Sequence, residues 1–125
     1  MNQDNGYIYF RSHQSFDEFD VYKIGSTNDI HKRDTQYVRD ELVRGNFVTV
    51  FEVPIKKMKI IDRLIKNEFS ELHLIFDGGT EFYKKKIITS IEPYLSTLNV
   101  QFKELTKEEI NNLLQSNNVI NSSKN

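Results

Sequence analysis

Two tyrosines and one arginine near the start of the chain have the types and spacing to act on a phosphate group. Tyr7 and Tyr9 lie in an aromatic, β-branched run over residues 6–10, and a second strand-like run covers residues 21–25. Arg33 follows the second run by eight residues, beyond several helix N-capping residues. A strand pair would hold tyrosine hydroxyls on a rigid surface, and the helix that follows would place a guanidinium over the same spot. This order indicates chemistry on a phosphodiester.

Size and composition narrow the class of protein. The 125 residues are enough for one domain with a core of its own, and too few for two. The chain has no cysteine, which excludes disulfides and thiolate metal sites and favours an intracellular compartment, cytoplasm or nucleus, over secretion. The first residues lack the basic and apolar regions of a signal peptide, and no apolar run approaches the roughly 20 residues that cross a bilayer. We therefore expect no membrane association.

The charge balance limits how the chain could meet nucleic acid. A formal net charge of -1 excludes a protein that coats nucleic acid indiscriminately, because that affinity comes from many displaced counterions. Any phosphate contact must therefore be local. A basic excess over residues 53–90 is compatible either with solvated helix faces or with a rim that binds the nucleic-acid backbone. The candidate backbone-binding residues, which also include one lysine of the first helix, are Lys32, Lys59, Lys66 and Lys84.

Hydrophobic patterning predicts an α/β (α+β) fold around a small sheet. Residues 6–11 and 20–25 should form a hairpin with a polar loop, followed by a helix over about 29–44 that Gly45 ends. Residues 47–53 are the clearest strand. We expect these strands to form a three-stranded, mainly antiparallel sheet packed by three or more helices.

The second half of the chain should supply the packing helices. Apolar residues at helical spacing predict a helix over about 56–71, and a turn at residues 77–80 should precede a third helix over about 80–95, in which Pro93 argues for a kink or an early stop. Residues 100–105 alternate like a short strand, and a capping-box pattern opens a last helix at Thr106. The predicted domain is 1–105, with a core of about 6–95; the predicted C-terminal region, 106–125, comprises this helix and a frayed tail from Ser116.

The order strand, strand, helix, strand, helix, with these motifs, resembles the GIY-YIG nuclease domain over about residues 6–95. The first motif is Tyr7-Ile8-Tyr9 and the second is Lys23-Ile24-Gly25. The later segment Glu81-Phe82-Tyr83 makes the resemblance closest to the phage- and virus-associated branch, whose second motif looks like Lys-Ile-Gly. The resemblance implies a metal-dependent endonuclease that hydrolyses DNA phosphodiester bonds with one divalent ion, Mg²⁺ or Mn²⁺.

The resemblance also implies roles for individual residues. Tyr9 would take a proton from the attacking water, and Arg33 would stabilise the developing negative charge. Lys23 falls where the family has its second tyrosine; it would favour a charged Tyr9 phenolate or hold a phosphate. Tyr37 matches a tyrosine found in some members, and Tyr7 belongs to the same motif as Tyr9. Each tyrosine could equally be a core aromatic residue.

The metal ligand has two candidates. The family's metal-binding Glu falls on Asp62, which is one methylene shorter but still a sound oxygen ligand for a hard cation. Glu81 is the other candidate. Asp62 could instead belong to an exposed ion-pair face, because Lys59 and Lys66 stand at helical neighbour positions.

A catalytically inactive module of the same fold is the main alternative to a nuclease. It would bind nucleic acid or a protein partner. The near-neutral charge, the lysine at position 23 and the aspartate at position 62 favour this alternative. No zinc finger, helix-turn-helix or basic arm appears in the sequence. DNA structure, a protein partner or homo-oligomer formation would then have to supply specificity.

Overall fold

An antiparallel sheet runs through the centre of the fold. A computed structural model describes residues 4–77 and 79–115. These residues form six strands, four α-helices and three short 3-10 helices. In chain order the strands and α-helices are β1 (Asn5–Ser12), β2 (Val21–Thr27), α1 (Ile30–Asp40), β3 (Asn46–Pro54), α2 (Ile55–Glu68), β4 (His73–Phe76), β5 (Gly79–Lys84), α3 (Ile88–Thr97), β6 (Lys103–Glu104) and α4 (Lys107–Leu114). The strand order across the sheet is β4-β5-β2-β1-β3-β6.

The predicted α+β class is confirmed, but the prediction of three strands was too low. The three predicted strands lie together as β2, β1 and β3, and the short strand expected near residues 100–105 is reduced to the two residues of β6. The strands absent from the prediction are β4 and β5. They form a hairpin whose second strand pairs antiparallel with β2, from Val21 opposite Lys84 to Lys23 opposite Phe82.

This hairpin corrects the predicted third helix. The residues that follow the turn, 79–84, are a strand, and α3 begins only at Ile88 after a 3-10 turn over Lys85–Ile87. The free edge of β2 decides this, because its unpaired backbone groups need partners and β5 supplies them. Pro93 does not end the helix early, since α3 continues to Thr97.

The first helix is shorter than predicted. The side chain of Asp29 caps α1 by accepting a hydrogen bond from the Lys32 backbone N–H. The predicted end near residue 44 was wrong, because α1 ends at Asp40 and Glu41 has an extended backbone. The Glu41 carboxylate instead accepts hydrogen bonds from Arg11 and from the Gly45 N–H. A long-range ion pair therefore replaces the last helical turn that the local pattern suggested.

The sheet separates two hydrophobic clusters. Successive side chains of β1 point to opposite faces, so Ile8 and Phe10 pack on one side and Tyr7 and Tyr9 on the other. The first side is covered by α2 and α3, which confirms the predicted packing of helices on the sheet. The second side contacts α1 and also α4, through Ile110. Helix α4 carries the predicted capping box between its N-cap threonine and Glu109.

None of the helices among residues 4–77 and 79–115 is long and apolar enough to span a membrane. The frayed tail predicted from Ser116 lies outside the described residues.

Candidate active site

The hydroxyl of Tyr9 lies between two polar side chains of α1. Arg33 Nη1 donates a hydrogen bond to Tyr9 Oη at 2.8 Å, and the hydroxyls of Tyr9 and Tyr37 are 2.7 Å apart. Arg33 and Tyr37 share a helix face because they are four residues apart. Tyr9 is almost fully buried, and Arg33 and Tyr37 separate its hydroxyl from the surface. The structure thus brings three of the sequence candidates into direct contact.

Gly25 makes room for this arrangement. It lies opposite Tyr9 in the β1–β2 pairing, and the Tyr9 ring passes over it. A Cβ atom built at Gly25 would lie 2.6 Å from Tyr9 Cζ, closer than two unbonded carbons can approach. The absence of a side chain at this position therefore lets the Tyr9 hydroxyl reach α1.

Gly25→Ala is expected to displace the Tyr9 hydroxyl. We expect a large loss of any catalytic rate and a moderate loss of stability. The added methyl group would push against a rigid buried ring, and overpacking of this kind costs about 1–3 kcal/mol of stability. Loss of the Arg33 and Tyr37 contacts should remove most of any catalytic activity. The measurements are thermal unfolding and the initial rate of any reaction that the wild-type protein catalyses. A fully active variant would show that Tyr9 need not occupy this position.

A surface cleft of about 440 Å³ opens beside this triad. Its lining includes Lys23, Arg33, Tyr37 and Glu81. Lys23 Nζ lies 5.1 Å from the centroid of the Tyr37 ring, so its charge is placed over Tyr37. The cleft lining combines two cations, Lys23 and Arg33, with three carboxylates, Asp40, Glu41 and Glu81. Glu41 is already paired with Arg11, and the two cations could hold an anionic group on the Tyr37 side of the cleft.

Burial changes the titration of Tyr37. Burial is the largest cause that raises the pKa of Tyr37. The neighbouring Tyr9 raises this pKa further, and Arg33 lowers it. The pKa of Tyr37 therefore lies well above the usual tyrosine value. A hydroxyl that keeps its proton across the physiological range can donate to Tyr9 throughout that range.

The two candidate metal ligands share one lysine. Lys66 Nζ lies 3.3 Å from Asp62 Oδ1 and 3.1 Å from Glu81 Oε1. Burial of Lys66 opposes its charge, but Asp62 and Glu81 more than compensate and raise its pKa. Ser26 Oγ donates to the other Asp62 oxygen, Oδ2, at 3.0 Å. The exposed ion-pair face considered for Asp62 is therefore a partly buried cluster, formed with Lys66.

Only one of the two carboxylates, Glu81, lines the cleft. The paired residues of β2 and β5 end at Lys23 and Phe82, and Glu81 lies just beyond that point. Glu81 lines the cleft and also binds Lys66, which reaches it from α2. Asp62 is thus connected to the cleft through Lys66 and Glu81.

The donor set suits a hard divalent cation in part. Asp62 Oδ1 is buried and has no aligned hydrogen bond, although it faces the Lys66 ammonium. Mg²⁺ is commonly held by one or two carboxylates, with waters and phosphate oxygens completing its shell. No group of three or more His, Cys, Asp or Glu that could hold a metal occurs within residues 4–77 and 79–115. Asp62 and Glu81 are two oxygen donors of this kind, and the Lys66 ammonium lies between them.

The remaining sequence candidates lie outside the cleft lining. Lys32, Lys59 and Lys84 are exposed. Lys66, also considered for backbone binding, is engaged by the two carboxylates. Tyr7 packs in the same buried cluster as Tyr9, and burial, followed by nearby carboxylates, raises its pKa. Its surroundings are those of a core residue.

Sequence analysis missed Arg11. It is 1% exposed, and its guanidinium donates to Glu41 at 2.7 Å and lies 3.4 Å from Asp34, which Arg44 also binds. The guanidinium carbon lies 4.5 Å from the Tyr37 ring centroid. Arg11 therefore fixes α1 and Tyr37 relative to β1. The sequence did contain a signal for Arg11, because it lies two residues after Tyr9 and alternate residues of a strand point to the same face.

Sequence analysis also missed Ser26. Its hydroxyl orients Asp62 from β2. Ser26 follows the second motif and alternates with Ile24 on the face that α2 covers. This alternation could have predicted that Ser26 faces α2, but it could not identify Asp62 as its partner.

Comparison with known proteins assigns the chain to a domain family. No curated protein and no solved structure matches the chain significantly. The T5orf172 domain matches residues 6–112, which span the sheet and most of the helices described above. This domain occurs in phage and nuclease-associated proteins, which is consistent with a nuclease-like or DNA-binding role. Because the match covers most of the sequence, the chain belongs to the T5orf172 domain family.

Proposed function

We propose that the chain is a metal-dependent endonuclease of GIY-YIG type that hydrolyses phosphodiester bonds in DNA. The observation that carries this proposal is the Tyr9 hydroxyl, which is hydrogen-bonded to Arg33 and lies 2.7 Å from the hydroxyl of Tyr37, both of which line the cleft. The occurrence of the family in phage and nuclease-associated proteins supports it.

Tyr9 would serve as the general base. Its oxygen accepts a hydrogen bond from Arg33 and can accept a second from Tyr37, whose raised pKa keeps it protonated. Tyr9 would take a proton from a water that attacks phosphorus, and the leaving oxygen would take a proton from solvent as its bond to phosphorus breaks. The Arg33 guanidinium would neutralise negative charge on the phosphoryl oxygens.

Lys23 and the carboxylate cluster would complete the site. Lys23 lines the cleft and would hold a nonbridging phosphate oxygen. Asp62 and Glu81 would hold one Mg²⁺ or Mn²⁺, with Ser26 keeping the Asp62 carboxylate oriented. When bound, the ion supplies positive charge to the phosphate and the leaving oxygen. Lys66 would have to leave its position between the carboxylates.

Carboxylate variants test this proposal. Purified protein should nick or cut DNA in Mg²⁺ or Mn²⁺ and be inactive in chelator, over a panel of duplex, single-stranded, nicked and branched substrates. Asp62→Asn or Glu81→Gln should lower the rate at least about a hundredfold if the altered carboxylate is the ligand. Glu71→Gln, an exposed carboxylate outside the cleft lining, is the matched control. Cleavage that persists in chelator, or in both variants, would contradict the site.

One observation favours a second candidate, a DNA-binding module without catalysis. The Lys66 ammonium already pairs with both Asp62 and Glu81 and offsets part of their negative charge in the place that a metal would take. The same substrate panel separates the two functions. Retarded bands on any substrate, without metal-dependent cleavage of any, would support the binding module. In either case DNA structure, self-association or a protein partner would supply specificity.

A further inference from the structure

We propose that four phenylalanines beside the cleft form a stacking surface for unpaired DNA bases. This inference rests on the proposed action on DNA and adds a substrate class to it: single strands, or branched DNA with an unpaired segment. The surface, called the phenylalanine row below, consists of Phe16, Phe19, Phe76 and Phe82.

The phenylalanine row is separate from the two hydrophobic clusters of the fold. Its ring centroids lie 5.1 Å apart between Phe16 and Phe82, 5.2 Å between Phe82 and Phe76, and 5.0 Å between Phe76 and Phe19. None of the four rings belongs to either cluster. Phe16, Phe76 and Phe82 are half-buried and pack edge-to-face, and Phe19, at one end of the row, is 50% exposed. The row therefore presents its most exposed aromatic surface at Phe19.

The row is continuous with the cleft. Lys23 Nζ lies 5.8 Å from the Phe82 ring centroid and 5.1 Å from the Tyr37 ring centroid, so one ammonium touches both surfaces. Glu81, which lines the cleft, directly precedes Phe82 in β5. A phosphate held by Lys23 would therefore place the base of its own or the next nucleotide against the row. Aromatic rings next to a phosphate-binding cation are typical of single-strand binding surfaces.

The charges around Phe19 favour bases over backbone. Glu18 and Asp20 flank it, and both are exposed, whereas Asp17 is paired with Lys85 at 3.4 Å. Carboxylates at this end repel phosphates, so the row does not follow a sugar-phosphate backbone. They can accept hydrogen bonds from the amino groups of bases. A duplex keeps its base faces stacked inside, which leaves unpaired nucleotides as the partners that fit.

The test measures binding in chelator, where cleavage is suppressed. Three fluorescent DNAs are compared by anisotropy: a single strand, the same strand with abasic residues in place of bases, and a duplex. Wild-type protein should bind the normal strand about fivefold to a hundredfold more tightly than the abasic strand. Phe19→Leu keeps an apolar side chain but removes the ring, and should bring the two affinities together. Ile60→Leu, an exposed apolar position on α2, should change neither.

Each outcome separates this inference from the proposed nuclease function. Equal wild-type affinity for the normal and abasic strands would overturn the stacking surface even if the protein cuts DNA. Preference for bases that disappears in Phe19→Leu would support it even if no substrate is cut. Retained preference in a folded Phe19→Leu protein would overturn the role of the row. The role of the row would also be overturned if the wild-type protein sedimented as a dimer, the Phe19→Leu protein sedimented as a monomer, and the preference for bases did not change.

Discussion

Arg33→Ala is expected to lower DNA cleavage by about a hundredfold to a thousandfold, the usual effect of removing a preorganised donor from a developing oxyanion. The same change removes one hydrogen bond to Tyr9 and leaves the hydrophobic clusters intact, so the free energy of unfolding should stay within about 1 kcal/mol of wild type. The measurements are single-turnover cleavage and denaturant unfolding. Arg33 would thus affect chemistry far more than folding.

Two further variants sharpen this expectation. Lys32→Ala removes an exposed neighbouring cation on α1 and should leave the rate within about threefold, because Lys32 lies outside the cleft lining. Arg33→Lys keeps the charge without the planar fork and should recover part of the activity at most. A variant at position 33 that unfolds would make the arginine structural. Full activity in Arg33→Ala would remove it from the site.

Arg11→Met is expected to lower the free energy of unfolding by about 3 kcal/mol or more. Arg11 is buried and compensates Asp34 and Glu41, and breaking a buried ion pair leaves uncompensated charge. Methionine roughly keeps the length and the apolar stem, so the loss would reflect the missing guanidinium. Denaturant unfolding at neutral pH measures it.

The matched control is Arg44→Met. Arg44 binds the same Asp34, but its side chain is mostly exposed, so its pair is screened by solvent and should contribute about 1 kcal/mol or less. Similar losses for the two variants would show that burial of Arg11 does not set its contribution. A stable Arg11→Met protein would show that α1 is held on the sheet by Ile30 and its apolar neighbours alone.

Local patterns predicted most of the elements. Alternation in β1 placed Tyr7 and Tyr9 on one face, and the four-residue step from Arg33 to Tyr37 placed both on one side of α1. These rules depend only on neighbours along the chain. They therefore predicted that Arg33 would lie near the strand tyrosines and that Tyr37 would share its helix face, whereas the hydroxyl contact between Tyr9 and Tyr37 appeared only in the folded structure. The catalytic roles given to these residues remain a proposal.

The tertiary structure decided what the local patterns left open. Residues 80–84 were predicted to begin a helix, and they form a strand because they pair with the free edge of β2. That pairing brought Glu81 to Lys66 and Asp62, and a similar distant contact buried Arg11 between two carboxylates. The alternation of residues along a strand specifies which face of the sheet each side chain takes. The residue that pairs with it on the next strand can lie far away in the sequence, and this pairing is set only when the whole sheet assembles. The sequence by itself therefore determined the elements and their faces, and the assembled sheet determined which side chains meet at the cleft.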